Sequence, residues 1–191
     1  MTLFELEQVQ APPDPIIMAR PVGPIVETAW GAYGRATATY SLDRAYRFRL
    51  SRVWDAKRER VAFVMLNPST ATAAVVDPTV RRCLRFAQTW GCGGAEVVNL
   101  FALRSTDPKA LYDHDQPVGK ENDEAILAAC LAAKLVVAAW GVHGALDGRG
   151  QHVRHILARA GVAPRSLRTT KDGMPSHPLY LPGSLKPVLR P

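Results

Sequence analysis

Apolar and polar positions alternate in short blocks along this chain, and the blocks change period as they go. Tyr46, Phe48 and Leu50 alternate with Arg47 and Arg49, which predicts a half-exposed strand. The alternation slips phase at Arg52 and Val53, so the end of that strand is less sharply marked. Val61–Leu66 is a continuous apolar run of the kind a buried parallel strand carries. Asp77-Pro78 reads as a helix cap followed by proline in the first turn. Val80, Cys83, Leu84 and Ala87 then recur at helical spacing, and Gly91 follows as a stop. Glu96–Leu100 predicts a second buried strand and Leu135–Ala139 a third, with Arg165–Thr170 as the fourth. Helical patterns cover Lys120–Ala133 and Gln151–Ala160. Strands separated by helices predict an α/β fold: a three-layer sandwich around a mostly parallel sheet of four or five strands.

Composition narrows this picture. The chain has 191 residues, 47% of them hydrophobic and 21% charged, enough for one domain with a real core. Five prolines between Pro12 and Pro24 mark residues 1–24 as an extended arm, leaving 25–191 as a single α/β domain. No apolar run approaches the length of about 18 residues that a membrane span needs, and the acidic start lacks the order of a signal peptide. Three cysteines without a CxxC predict a reduced cytoplasmic protein with neither disulfides nor a metal or cofactor. A net charge of +7 permits anionic partners, and equally suits simple solubility. The sequence leaves the oligomeric state open.

Polar residues gather where the parallel strands are expected to end. Asn67-Pro68-Ser69-Thr70 follows the first buried strand, and Asn99 closes the second ahead of Arg104. Trp140-Gly141-Val142-His143 follows the third, and Lys171 and His177 follow the fourth. Carboxyl ends of parallel strands share one edge, and ligands bind in the crevice there. Each residue has a plainer reading. Asn67 suits a turn cap, Asn99 a backbone partner, His143 a packed loop, and Arg81 and Arg82 a solvated surface, while Arg104 at a strand end is the better anion-binding candidate. Asp77 and Asp107 read as helix caps, and Trp90 and Trp140 as core. No phosphate-loop, dinucleotide, serine-hydrolase or zinc-protease motif is present.

LNPSTA (66–71), DPTVRRC (77–83), WGCGG (90–94), EVVNLFALRSTDP (96–108), AWGVHG (139–144) and SHPLYLP (176–182) together resemble the domain of unknown function 1643 family over roughly residues 45–182. That family name carries no activity. The order of motifs is also similar to the uracil-DNA glycosylase superfamily, which implies a uracil-DNA-glycosylase-like fold. On that resemblance Asn67 orients a catalytic water and His177 stabilises the departing base. Asn99 and His143 would grip the base, and Arg81, Arg104 and Lys171 would hold phosphate. Ser69 replaces the motif glycine and Leu179 the serine after His-Pro. The water-activating aspartate and the iron–sulfur cysteines of other branches are absent. The implied partners are a nucleobase, a nucleotide or DNA, with N-glycosidic hydrolysis as the reaction. The alternative is non-catalytic binding of the same ligands.

Overall fold

The computed structural model describes residues 23–189. Apart from Gly23 and Pro24, the expected arm lies outside the described residues. Two hairpin strands open the chain, β1 (Ile25–Gly31) and β2 (Gly34–Tyr40), and β3 (Arg47–Val53) returns beside them. Then come β4 (Arg60–Met65), α1 (Pro78–Thr89), β5 (Gly94–Asn99), a single turn α2 (Ala110–Asp113) and α3 (Asn122–Leu131). The chain continues through β6 (Leu135–Ala138), α4 (Arg149–Arg159), the two-residue β7 (Arg165–Ser166) and β8 (Val188–Leu189).

These strands form one eight-stranded sheet in the order β1-β2-β3-β5-β4-β6-β7-β8. This corrects the expectation of a uracil-DNA-glycosylase-like fold around a mostly parallel sheet of four or five strands. Four pairings are antiparallel (β1–β2, β2–β3, β3–β5, β7–β8) and three are parallel (β5–β4, β4–β6, β6–β7). The cause lies at the sheet's ends. Residues 25–40 carry alanine, threonine and glycine rather than a strong apolar alternation, so their hairpin leaves little periodic signal. The fourth parallel strand stops after Ser166 instead of running to Thr170.

Alternate residues of the central strands feed two cores. Val61, Phe63 and Met65 face α1 with Cys83, Leu84, Phe86 and Ala87. Ala62 and Val64 face α3 and α4 with Ile126, Cys130, Val153 and Leu157. Burial on both sides explains why Val61–Leu66 shows no alternation in sequence. Trp140 fills the second core and Trp90 packs against the first. Burial pushes the Cys83 thiol well up and that of Cys130 up to about 12, so both remain protonated packing groups at neutral pH. No described helix is long and apolar enough to cross a membrane.

A bulge in β3 sets up the site. Pairing runs Tyr40↔Arg47 and then Thr39↔Arg49, so Phe48 is the extra residue. The extra residue shifts the phase, and Arg47, Leu50 and Arg52 all sit opposite residues of the α1 face: Tyr40, Ala38 and Ala36. Arg47 is therefore 2% exposed, not on the solvent side that the alternation predicts.

Candidate functional site

The strand order has a switch point between β4 and β6. From β4 the chain leaves through α1 toward β5; from β6 it leaves through α4 toward β7, on the other side. Connections that part in this way leave a gap above adjacent carboxyl ends, here those of β4 and β6.

Asn67 stands at the β4 lip, half-buried. Its Nδ2 donates to the Ser105 carbonyl at 2.8 Å and to the Pro68 carbonyl at 3.2 Å. The Ser105 N–H in turn donates to the Pro68 carbonyl at 2.9 Å. The loops after β4 and β5 are thereby stitched together. Both amide hydrogens of Asn67 are engaged, which fixes the plane of the side chain and leaves its oxygen as the acceptor.

Asn99 ends β5 and is 1% exposed. It alternates with Ala95 and Val97, which belong to the α1-side core. The Asn122 side chain, at the start of α3, donates to the carbonyls of Asn99 (3.0 Å) and Leu100 (2.9 Å), clasping the strand end. The Nδ2 of Asn99 has no partner among the described residues. A buried amide left open in this way is a donor awaiting an acceptor.

Arg47 lies on the same face. Its Nη1 donates to the Ala71 carbonyl at 2.5 Å, and its Nε has no partner among the described residues. Arg52 donates to the Thr72 carbonyl at 2.7 Å. These two arginines hold the loop after β4 down on the sheet by its backbone. Burial lowers the Arg47 pKa to about 10, and the charges of Tyr40 and Asp77 oppose the shift; the side chain remains a cation at neutral pH.

Asp77 caps α1. Its Oδ1 accepts from the Val80 N–H at 2.7 Å, as a helix cap should. Its charge also reaches Arg47 and His177. His177 caps the 3-10 turn Pro178–Tyr180, its Nδ1 accepting from the Leu179 N–H at 3.4 Å. In the neutral ring that bond places the proton on Nε2, making it a donor. Gly141, at the β6 lip, has φ 74° and ψ −169°, a backbone state closed to other residues. A Cβ there would lie 3.9 Å from the His177 Cβ, so the β6 and His177 loops pass close. His143 completes the β6 lip, with its Nδ1 at 2.9 Å from the Tyr112 hydroxyl.

The remaining candidates fall apart from this group. Arg104 donates to the Arg44 carbonyl at 3.0 Å and stacks over the Tyr40 ring, beside Arg47. Arg81 is exposed on the outer side of α1, and Lys171 is exposed on the turn beyond β7. Sequence reasoning missed Arg47 and Asn122. Arg47 is hidden by the bulge, and Asn122 reads as an ordinary residue at a helix start. No group of three metal-ligating side chains occurs among the described residues.

Burial holds His177 below the usual histidine value, against the pull of Asp77. Two results follow. The ring stays a neutral donor down through pH 6.5, and folding stability is fully present above that value. As pH falls below it, the unfolded chain protonates first and stability declines until the folded ring titrates. An NMR titration of the His177 ring, with thermal unfolding from pH 8 to 5, checks both; a midpoint above 6.5 contradicts them.

A family model described as protein of unknown function (DUF1643) matches residues 47–179, which include every candidate above. No curated protein and no solved structure matches the chain.

Proposed function

We propose, for a chain that belongs to the family described as protein of unknown function (DUF1643), that the crevice between β4 and β6 binds a nucleobase carried on a nucleotide or on DNA and hydrolyses its N-glycosidic bond. The observation that carries this reading is a complementary pair of fixed polar atoms. The Asn67 oxygen is an acceptor, oriented by two backbone carbonyls, and the His177 Nε2–H is a neutral donor, oriented by the Leu179 amide. Asn67 orients a water toward the sugar carbon. The water oxygen bonds that carbon, the carbon–nitrogen bond breaks, and the bonding pair leaves with the base. His177 donates a hydrogen bond to the oxygen where that charge develops. The water's proton ends on the departing base. Asn99 supplies the open amide for the base edge, and His143 closes the β6 side. Base flipping precedes the reaction if the substrate is duplex DNA. The protein works in the cytoplasm with its cysteines reduced.

An abasic-site assay on strands bearing uracil, hypoxanthine or a mismatched base, with free nucleosides in parallel, tests the reaction. Cleavage of at least one substrate, lost in Asn67→Ala, supports it. No cleavage of any substrate by folded protein rejects it.

A second reading, binding without cleavage, draws on Asp77. The Asp77 carboxylate, whose charge favours the protonated ring of His177, uses its Oδ1 to cap α1, and the first motif carries no aspartate to activate water. On that reading the ligand binds, Asn99→Ala weakens binding, and no product forms.

A further inference from the structure

Away from the crevice, α1 presents two arginines one turn apart, Arg81 and Arg85, both exposed. They line a cleft of about 330 Å³ between α1 and the tip of the β1–β2 hairpin, together with Arg52, Val76, Tyr33 and Trp30. Among the described residues, no acidic side chain lines this cleft and none of its three arginines takes part in an ion pair.

The back of the cleft is itself charged. Arg52 is 3% exposed, and its guanidinium reaches only the carbonyls of Ser51, Thr72 and Val75. Carbonyl dipoles hold it in place without cancelling its charge. A buried cation backing two exposed ones, with no counter-charge among the described residues, makes a field that a compact anion would satisfy. Guanidinium forks match phosphate oxygens in geometry as well as charge.

The aromatic side chains narrow the ligand further. Trp30 is 78% exposed at the hairpin tip. Tyr33 packs its ring against the core beside it and is only partly covered. An exposed aromatic beside a row of unpaired arginines is the arrangement that serves single strands: phosphates track the cations, and a base stacks on the ring. An acidic peptide would use the charge and leave the tryptophan without a role.

We infer that the cleft formed by Arg52, Arg81 and Arg85 under the β1–β2 hairpin is a phosphate-binding site for single-stranded nucleic acid, with Trp30 as its stacking surface. This inference does not rest on the chemistry proposed for the crevice. Arg52 anchors the loop that carries Ala71–Val76, so the testing variants are the exposed residues.

The full chain is titrated by fluorescence anisotropy with a labelled single-stranded oligonucleotide over a range of salt, with pyrophosphate and poly-glutamate as competitors. The Arg81→Ala/Arg85→Ala variant is expected to bind about 10-fold or more weakly, with the slope of log affinity against log salt smaller by about 1.4 for two lost phosphate contacts. Trp30→Ala is expected to weaken oligonucleotide binding by roughly 5-fold or more and to leave competition by pyrophosphate unchanged. Unaltered affinity and slope in the double arginine variant would overturn the site. Trp30→Ala with unaltered oligonucleotide affinity would overturn the assignment to a strand, leaving a site for free phosphate. Poly-glutamate displacing the oligonucleotide as well as pyrophosphate does, charge for charge, would also overturn that assignment. Asn99→Ala reports separately on the crevice: loss of turnover there with oligonucleotide binding retained keeps the two sites distinct.

Discussion

Replacing His177 by alanine is expected to lower glycosidic turnover by roughly 10²- to 10³-fold, the usual effect of deleting one preorganised donor at a developing charge. The histidine is oriented before any ligand arrives. Pro178 follows it, the Leu179 amide fixes its tautomer, and the glycine at 141 lets the β6 loop lie close. A donor held this way acts on the transition state more than on the bound substrate, so the loss should fall on kcat with little change in KM. Glutamine, which can still donate from a side-chain amide, should recover part of the rate. Single-turnover kinetics on the best substrate, with thermal melting as a control for folding, decide the matter. An alanine variant that melts like the wild type and retains full kcat removes His177 from the chemistry.

The second large effect is on stability. Arg47→Ala should destabilise the fold by about 3 kcal/mol, since it opens a cavity and strips the Ala71 carbonyl of its buried donor. Arg47→Met should cost less. It fills most of the volume and removes a buried cation to which no carboxylate is hydrogen-bonded. Urea unfolding of both variants gives the comparison. Limited proteolysis should show new cleavage near Ala71–Val75 in each, because the loop loses one of the two side chains that pin it. Equal stability of the alanine variant and the wild type would mean that the loop is held by its other contacts, with Arg47 contributing nothing.

The legibility of this molecule in its sequence is uneven, for physical reasons. Val61–Leu66 and Leu135–Ala139 announce buried strands because both of their faces meet helices. Asp77-Pro78 announces α1 because the cap and the missing proline N–H are local chemistry. The hairpin from Ile25 to Tyr40 leaves a weak trace: its inner face mixes Ile25 and Tyr40 with Glu27 and three alanines, and its outer face carries Val26 and Trp30 among threonines. Missing that hairpin, together with β8, led to the expectation of a mostly parallel sheet. Arg47 was misplaced because one extra residue, Phe48, reverses the phase between two otherwise regular stretches. No count of alternating residues reveals which of them is the extra one. The polar clusters at the strand ends could be read from order alone, since a parallel strand's direction fixes the edge at which it ends. What lay beyond the sequence was the set of bonds among them: the amide of Asn67 on Ser105, the clasp of Asn122 on β5, and the Leu179 amide on the ring of His177.

The Asn122 clasp has a consequence for biosynthesis. The carbonyls of Asn99 and Leu100 acquire their side-chain donors only once α3 and, for Leu100, Arg149 of α4 have docked, and His177 comes more than fifty residues after Asn122. A nascent chain emerging from the ribosome can therefore pair β4 with β5 early, yet with this end of the ladder still open to water. A chain arrested near residue 122 lacks α3 and α4, which cover Ala62 and Val64, and should be cut by protease more readily than the full chain.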